Sequence, residues 1–184
     1  TADEVDAVLR DYWAAGVRHI VALRGDPPAG AAKYEPHPGG YAYADSLIAG
    51  IKKIGDFEVS VGAYPESHPD SPDPEKDIDY LKAKLDAGAT RAITQYFFDA
   101  EVFLRYRDRL AARGIAAEVV PGILPVTNFA QVVKFSKMCG ASVPAWLAHL
   151  FDGLVNSFHF YTLNRADLAY SICHILGLRP AKEA

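Results

Sequence analysis

Residues 17–28 constrain the fold more than any other part of this sequence. They begin as a β-branched and apolar run, which ends abruptly at Arg24, Gly25 and Asp26 before two prolines. A strand that ends in this way carries a guanidinium and a carboxylate to its C-terminal edge, where parallel α/β proteins place their binding and catalytic residues. The stretch therefore predicts a parallel α/β fold with polar groups gathered at one edge of a sheet.

Four later segments have the same form, a mostly apolar strand that runs into polar residues, glycine or proline. They lack regular polar alternation, which is typical of parallel strands covered on both faces. The segments are Phe57–Tyr64, Arg91–Thr94 terminated by Gln95, Ala116–Val120 and Ser157–Leu163.

Helical patterns separate these strands, and a glycine follows most of them. Thr1 with Glu4 three residues later predicts a capping box at the start of the first helix. The alternation of strand, loop and helix predicts repeated βα units. The predicted helices are 2–15 before Gly16, Ala44–Ile54 before Gly55, Pro74–Ala87 before Gly88, Asp99–Arg113 before Gly114, Thr127–Cys139 before Gly140, and the short segment Val143–Leu150.

Composition excludes several classes of protein. Half of the 184 residues are hydrophobic, enough for one domain spanning residues 1–184. A net charge of −4 gives no electrostatic reason to expect nucleic acid or an anionic membrane as a partner. Cys139 and Cys173 have no metal-ligand spacing, which predicts no metal site and free thiols in a reducing compartment. No run of about 20 apolar residues and no signal-peptide pattern is present, so we expect a cytoplasmic protein.

Long motifs in a fixed order now identify a resemblance to the methylenetetrahydrofolate reductase family, flavoproteins that reduce 5,10-methylenetetrahydrofolate to 5-methyltetrahydrofolate. The resemblance extends essentially from end to end. The segments that carry it are His19–Asp26, Ala63–Pro69, Arg91–Asp99, Pro121–Val126, Pro144–Trp146 and Phe160–Arg165.

The resemblance implies a (β/α)8 TIM barrel with FAD across the C-terminal ends of its strands. This sequence resembles the last five strands, without the first three and without most of the helical crossover before the last. We expect it to be part of a longer polypeptide, because five barrel strands alone leave open edges. The general-acid glutamate of the family lies on the first strand, and no residue here is assigned to it.

Asp26 is the candidate catalytic residue. The resemblance implies that its carboxylate lies near the flavin and the folate pterin, where negative charge stabilises a cationic iminium of the substrate. The alternative is a turn aspartate before Pro27, where aspartate is favoured for local hydrogen bonds.

Further residues match cofactor positions of the family. Arg24 is a charge-assisted donor and Gly25 lets the backbone approach the cofactor, although a buried structural ion pair is the alternative for Arg24. His68 donates to ribityl or phosphate oxygens, or is simply a solvated loop histidine. Tyr43, Ala44 and Tyr64 complete the contacts with FAD at this end, and Ala44 alone reads as an ordinary helix former.

The predicted helix Pro74–Ala87 presents Asp77, Tyr80 and Lys84 at spacing i, i+3 and i+7. The resemblance implies that Asp77 contacts a ribose and Lys84 a diphosphate. Tyr80 and Ala83 depart from bacterial relatives that carry asparagine and arginine, which implies weaker hold on the adenine end of FAD. The alternative is a solvated charged face.

The resemblance gives four candidates for substrate binding besides Asp26. An amide donor and acceptor suit Gln95 to the pterin edge, and Phe135 stacks on folate or nicotinamide beside Gln131 on the same helix. The resemblance implies that Arg165 pairs with the glutamate tail of folate. The alternatives are a core position for Phe135 and a surface arginine at position 165.

The implied reaction is ping-pong. NADH or NADPH reduces the flavin and leaves, and methylenetetrahydrofolate then binds to the same face. The expected partners are these small molecules, and self-association is left open. Two other classes stay open as well: another FAD-dependent barrel oxidoreductase, acting for example on an amino acid, and a non-catalytic folate- or flavin-binding fragment.

Overall fold

The computed structural model describes residues 1–27, 34–126 and 128–151. In this part of the chain, helices and strands alternate after an initial helix. The elements are α1 (Ala2–Ala14), β1 (His19–Ala22), α2 (Ala44–Ile54), β2 (Glu58–Ala63), α3 (Pro74–Asp86), β3 (Arg91–Tyr96), α4 (Ala100–Ala112), β4 (Glu118–Gly122), α5 (Phe129–Cys139) and α6 (Ala145–Phe151).

The four strands form one parallel sheet in the order β1-β2-β3-β4. Each strand therefore lies beside the next one in the sequence, as in a barrel built from successive βα units. The predicted parallel α/β fold is confirmed, and the arrangement is consistent with part of a (β/α)8 barrel. The predicted strand Ser157–Leu163 lies outside the described residues.

The core lies between the helices and one face of this sheet. Phe57, Val59 and Val61 of the β2 region are fully buried there against Ile78 and Leu81 of α3. The ring of Trp13 packs edge-on against Phe57, with 4.9 Å between ring centroids. This core orients the strands so that their carboxyl ends meet at a single edge.

The helix ends follow the predicted chemistry with one exception. Thr1 and Glu4 form the predicted capping box, and α5 ends at Gly140 in the left-handed conformation with φ of 73°. Gly55 after α2 is instead extended. Glycine is needed at position 55 because a Cβ atom there would lie 2.6 Å from the ring of Trp13.

Strand bounds differ from the prediction by one residue at each end of β2 and by two residues in β3 and β4. β3 continues to Tyr96, so Gln95 lies within the strand, and β4 runs from Glu118 to Gly122. The side-chain hydroxyl of Thr94 accepts a hydrogen bond from the Gly122 backbone N–H at 2.9 Å, and the register shifts between Ile93 and Tyr96. This long-range contact extends the pairing beyond the apolar runs.

A row of polar and charged side chains crosses the sheet near the amino ends of its strands. Glu58 pairs with His19 Nδ1 at 3.1 Å and with the Arg91 guanidinium at 2.8 Å, and Arg91 pairs with Glu118 at 2.7 Å. His19 is the register partner of Glu58, and Arg91 that of Glu118. These pairs therefore favour the observed strand register. No helix within the described ranges has the length and apolar character needed to cross a membrane.

Candidate active site

The carboxyl ends of neighbouring strands place most candidate residues along one edge of the sheet. Arg24, Gly25 and Asp26 follow β1 directly, and Tyr64 and His68 follow β2. Gln95 is near the end of β3. In parallel α/β folds this is the edge at which ligands bind.

Arg24 is held in place at this edge. Its guanidinium donates to Asp70 at 3.0 Å and to the Gly25 carbonyl at 3.3 Å, and it lies 4.4 Å from the centroid of the Tyr34 ring. The Asp70 side chain is 61% exposed, so this is a surface ion pair and not a buried one. The contacts orient Arg24 while leaving its charge near solvent.

The backbone next to Arg24 is open. Gly25 has φ of +83°, a conformation that favours glycine, and no atom of the described residues lies within 4 Å of the position of an added Cβ. Asp26 is exposed, and its carboxylate accepts no hydrogen bond from residues 1–27, 34–126 or 128–151. The local hydrogen bonds of a turn aspartate would come from the residues after Pro27, and residues 28–33 lie outside the described ranges.

Tyr64 and His68 contact each other in the loop after β2. Their rings pack edge to face with centroids 4.7 Å apart, and burial raises the pKa of the Tyr64 phenol. His68 Nδ1 accepts the Asp70 backbone N–H at 3.0 Å. A neutral His68 therefore carries its proton on Nε2, where it is a donor for a ligand oxygen.

Asp77 of α3 binds this loop through two hydrogen bonds. It is 6% exposed, and its Oδ2 accepts the His68 backbone N–H at 2.9 Å and the Ser67 hydroxyl at 3.0 Å. Lys84 also turns inward and donates to the Gly62 carbonyl at 2.6 Å. Burial lowers the pKa of Lys84, against the opposing effect of Asp77 and Asp45.

The alternative interpretation of this helix as a solvated charged face is therefore wrong. The side chains of Asp77 and Lys84 point inward, to the loop after β2 and to the Gly62 carbonyl, whereas Tyr80 is 53% exposed. The sequence spacing did not distinguish a buried carboxylate from an exposed one, because the donors that hold Asp77 lie in a separate loop.

The residues at the start of α2 differ in exposure. Tyr43 precedes the helix, is 57% exposed and lies 6.1 Å from Tyr34 between ring centroids. Ala44 is partly buried and packs against the core. Its contact is that of an ordinary helix residue.

The candidate substrate residues lie on β3 and α5. Gln95 Oε1 accepts the Tyr96 backbone N–H at 3.0 Å, which leaves its amide N–H groups as donors. Gln131 and Phe135 are both exposed, so a core position for Phe135 is wrong. Arg165 lies outside the described residues.

Some residues at the site were missed by the sequence analysis. Tyr34 and Asp70 orient Arg24, and Glu66 accepts hydrogen bonds from Ser142. Glu66 lies within the Pro-Glu-Ser-His segment, which drew attention to His68 alone. Its neighbours in space are distant in the sequence, and only the fold brings them together.

Parallel βα units with charged and polar side chains at their carboxyl ends define an enzyme of the α/β barrel class. Within that class the family can be stated. The family model for methylenetetrahydrofolate reductase matches residues 1–154, and the chain belongs to this family.

Curated relatives agree with this assignment. The chain is 48% identical to 5,10-methylenetetrahydrofolate reductase of Escherichia coli strain K12, over 98% of this chain and 68% of the relative. It is 46% identical to the Salmonella typhimurium protein of the same name, with the same coverage. Identity to methylenetetrahydrofolate reductase 2 of Saccharomyces cerevisiae is 32%, over 97% of this chain and 35% of that protein.

Proposed function

We propose that this protein reduces 5,10-methylenetetrahydrofolate to 5-methyltetrahydrofolate, with FAD as its cofactor and NADH or NADPH as electron donor. Membership of the family supports the reaction. The observation that carries the proposal to this chain is Asp26, an exposed carboxylate beside the open backbone of Gly25 at the ligand-binding edge of the sheet. A location in the cytoplasm and self-association remain predictions.

The residues at this edge fit a flavin dinucleotide. The space at Gly25 admits a ligand against the backbone, and the oriented Arg24 and the Nε2 proton of His68 suit oxygens of the ribityl chain or diphosphate. Asp77 holds the loop that carries His68 and has a second oxygen, Oδ1, for a ribose hydroxyl. When bound, FAD supplies hydride transfer.

The same edge fits a folate. Gln95 retains amide donors for the pterin, and the exposed Phe135 offers a ring face near Gln131. The Asp26 carboxylate stabilises positive charge on the substrate as its methylene bridge opens to an iminium. In the proposal, Arg165 binds the glutamate tail.

Identification of the bound chromophore tests the cofactor. The purified full-length protein should be yellow, and heat should release FAD. Recovery of FMN, or failure to bind flavin after incubation with FAD, would reject the proposal. Rates of flavin reduction by NADH and by NADPH, measured on the same preparation, identify the preferred donor.

The adenine end of FAD should be held weakly, because Tyr80 and Ala83 are exposed and offer few polar contacts. Introducing Tyr80→Asn and Ala83→Arg together should slow FAD dissociation about threefold to tenfold, as expected for one or two added polar contacts. Dissociation after dilution can be followed by flavin fluorescence. An unchanged or faster rate would contradict this role for α3.

Gln95 should matter more for folate than Arg165. A half-satisfied buried amide costs about 1–3 kcal/mol, whereas an exposed arginine–carboxylate contact contributes about 1 kcal/mol or less. Arg165→Ala should raise KM for methylenetetrahydrofolate less than about tenfold with little change in kcat, and Gln95→Ala should lower kcat/KM further. Steady-state kinetics with each substrate varied test the ranking. Two variants with wild-type folate kinetics would favour a flavin barrel that acts on another substrate.

A further inference from the structure

The loop after β2 is joined directly to the turn that follows α5. The Ser142 backbone N–H donates to Glu66 Oε2 at 2.7 Å, and the Ser142 hydroxyl donates to Glu66 Oε1. Both carboxylate oxygens of Glu66 therefore bind one residue that lies 76 positions away in the sequence. We call this pair of residues the Glu66–Ser142 clamp.

Close packing accompanies the clamp. A Cβ atom at Gly140 would lie 2.6 Å from the Ser67 carbonyl oxygen, so the backbone at the end of α5 touches the loop. One turn earlier in α5, the Ser136 hydroxyl, which is buried, lies 3.1 Å from the Tyr96 hydroxyl of β3. The C-terminal end of α5 is thus fixed against both the β2 loop and β3.

The other side of the loop is also fixed. Asp77 of α3 binds the Ser67 hydroxyl and the His68 N–H, and Arg109 of α4 donates to the Pro65 carbonyl at 3.3 Å. α3 and α4 therefore hold one side of the loop, and the clamp joins the loop to the turn after α5. The clamp contributes two hydrogen bonds to a carboxylate, which are stronger than hydrogen bonds between neutral groups.

We propose that Glu66 and Ser142 are positioning residues that couple the flavin side of the site to the substrate side. The loop carries Tyr64 and His68, and α5 carries Gln131 and Phe135. A ligand that orders one element then reduces the cost of ordering the other, and the coupling is reciprocal. The identity of the two ligands rests on the proposed function, whereas the clamp itself does not.

The thiol of Cys139 reports on the clamp without any catalysis. It is the last residue of α5, is partly buried and lines the same crevice as Tyr64, Ser67 and Tyr96. We would measure its reaction with a chromogenic disulfide in full-length protein in which Cys139 is the single cysteine, with Cys173→Ser included. Glu66→Ala and Ser142→Ala should each raise the rate about threefold to tenfold, as expected for loss of one or two hydrogen bonds.

Matched variants separate the clamp from general destabilisation. Ser142→Thr keeps the hydroxyl and should react within about twofold of wild type. Glu101→Ala, on the exposed first turn of α4, should react as wild type. The double variant Glu66→Ala with Ser142→Ala should react no faster than Glu66→Ala alone, because Glu66→Ala already removes both hydrogen bonds of the clamp. Melting temperatures identify any variant that reacts quickly through unfolding, and Ser142→Ala at its exposed position is the milder change.

Coupling is then measured with ligands. FAD should slow the Cys139 reaction in wild type and have less effect in Glu66→Ala. Glu66→Ala should also raise KM for methylenetetrahydrofolate about threefold to tenfold while kcat changes less than about twofold. Wild-type thiol rates in both alanine variants, or an equal FAD effect with and without Glu66, would overturn the inference. Failure of the wild-type protein to bind FAD would reject the proposed function. The Cys139 rates of the alanine variants without FAD would still show whether the clamp restrains the end of α5.

Discussion

Asp26→Asn should slow the reduction of methylenetetrahydrofolate about 100-fold while leaving flavin reduction by NADH within a few fold of wild type. Only the folate half-reaction passes through a substrate cation, and loss of one well-placed electrostatic group commonly costs about this factor. The substitution keeps the size of the side chain, which is exposed. Stopped-flow absorbance of the flavin measures the two half-reactions separately.

Asp70→Asn is the matched control for this experiment. Asp70 lies at the same edge but orients Arg24, so its loss should weaken FAD binding more than it slows the folate step. Equal losses in both half-reactions of Asp26→Asn would mean that Asp26 holds the loop instead of stabilising charge.

Gly122→Ala should lower the free energy of unfolding by about 2–3 kcal/mol, in the upper part of the range for overpacking. A Cβ atom at this position would overlap the Thr94 carbonyl oxygen, which is backbone and has little room to move. The same glycine donates the hydrogen bond to Thr94 Oγ1 that extends β3 and β4. Urea denaturation of the full-length protein measures the change.

Gly62→Ala, on the neighbouring strand β2, is the control for Gly122→Ala. Among the described residues the nearest atom to an added Cβ there is 3.7 Å away, so the free energy of unfolding should change by less than about 1 kcal/mol. Similar losses in the two variants would show that the packing between β3 and β4 is not as described.

Local sequence signals predict most of the elements. The bounds Ala44–Ile54 of α2 and the left-handed end of α5 at Gly140 follow from apolar spacing and glycine, which act within one or two turns. The ends of β3 and β4 do not follow from such signals. They depend on the hydrogen bond between Thr94 and Gly122, which are 28 residues apart.

In the candidate site, too, some features follow from local sequence and others depend on distant partners. Polar residues directly after a strand, such as Arg24 and His68, are placed at the edge by the parallel sheet itself. The burial of Asp77 and the contact of Glu66 with Ser142 depend on partners from other loops. Sequence spacing therefore predicts which residues lie at the carboxyl edge of the sheet. The fold is needed to show which residues position them through hydrogen bonds.

An anaerobic two-step titration follows electrons from the nicotinamide through the flavin to the folate. Full-length protein with bound flavin is first reduced with one equivalent of NADH or NADPH, and 5,10-methylenetetrahydrofolate is then added. We expect the flavin absorbance to return as one 5-methyltetrahydrofolate forms per flavin. A flavin that the nicotinamide reduces but the folate does not reoxidise, with no 5-methyltetrahydrofolate formed, would contradict it.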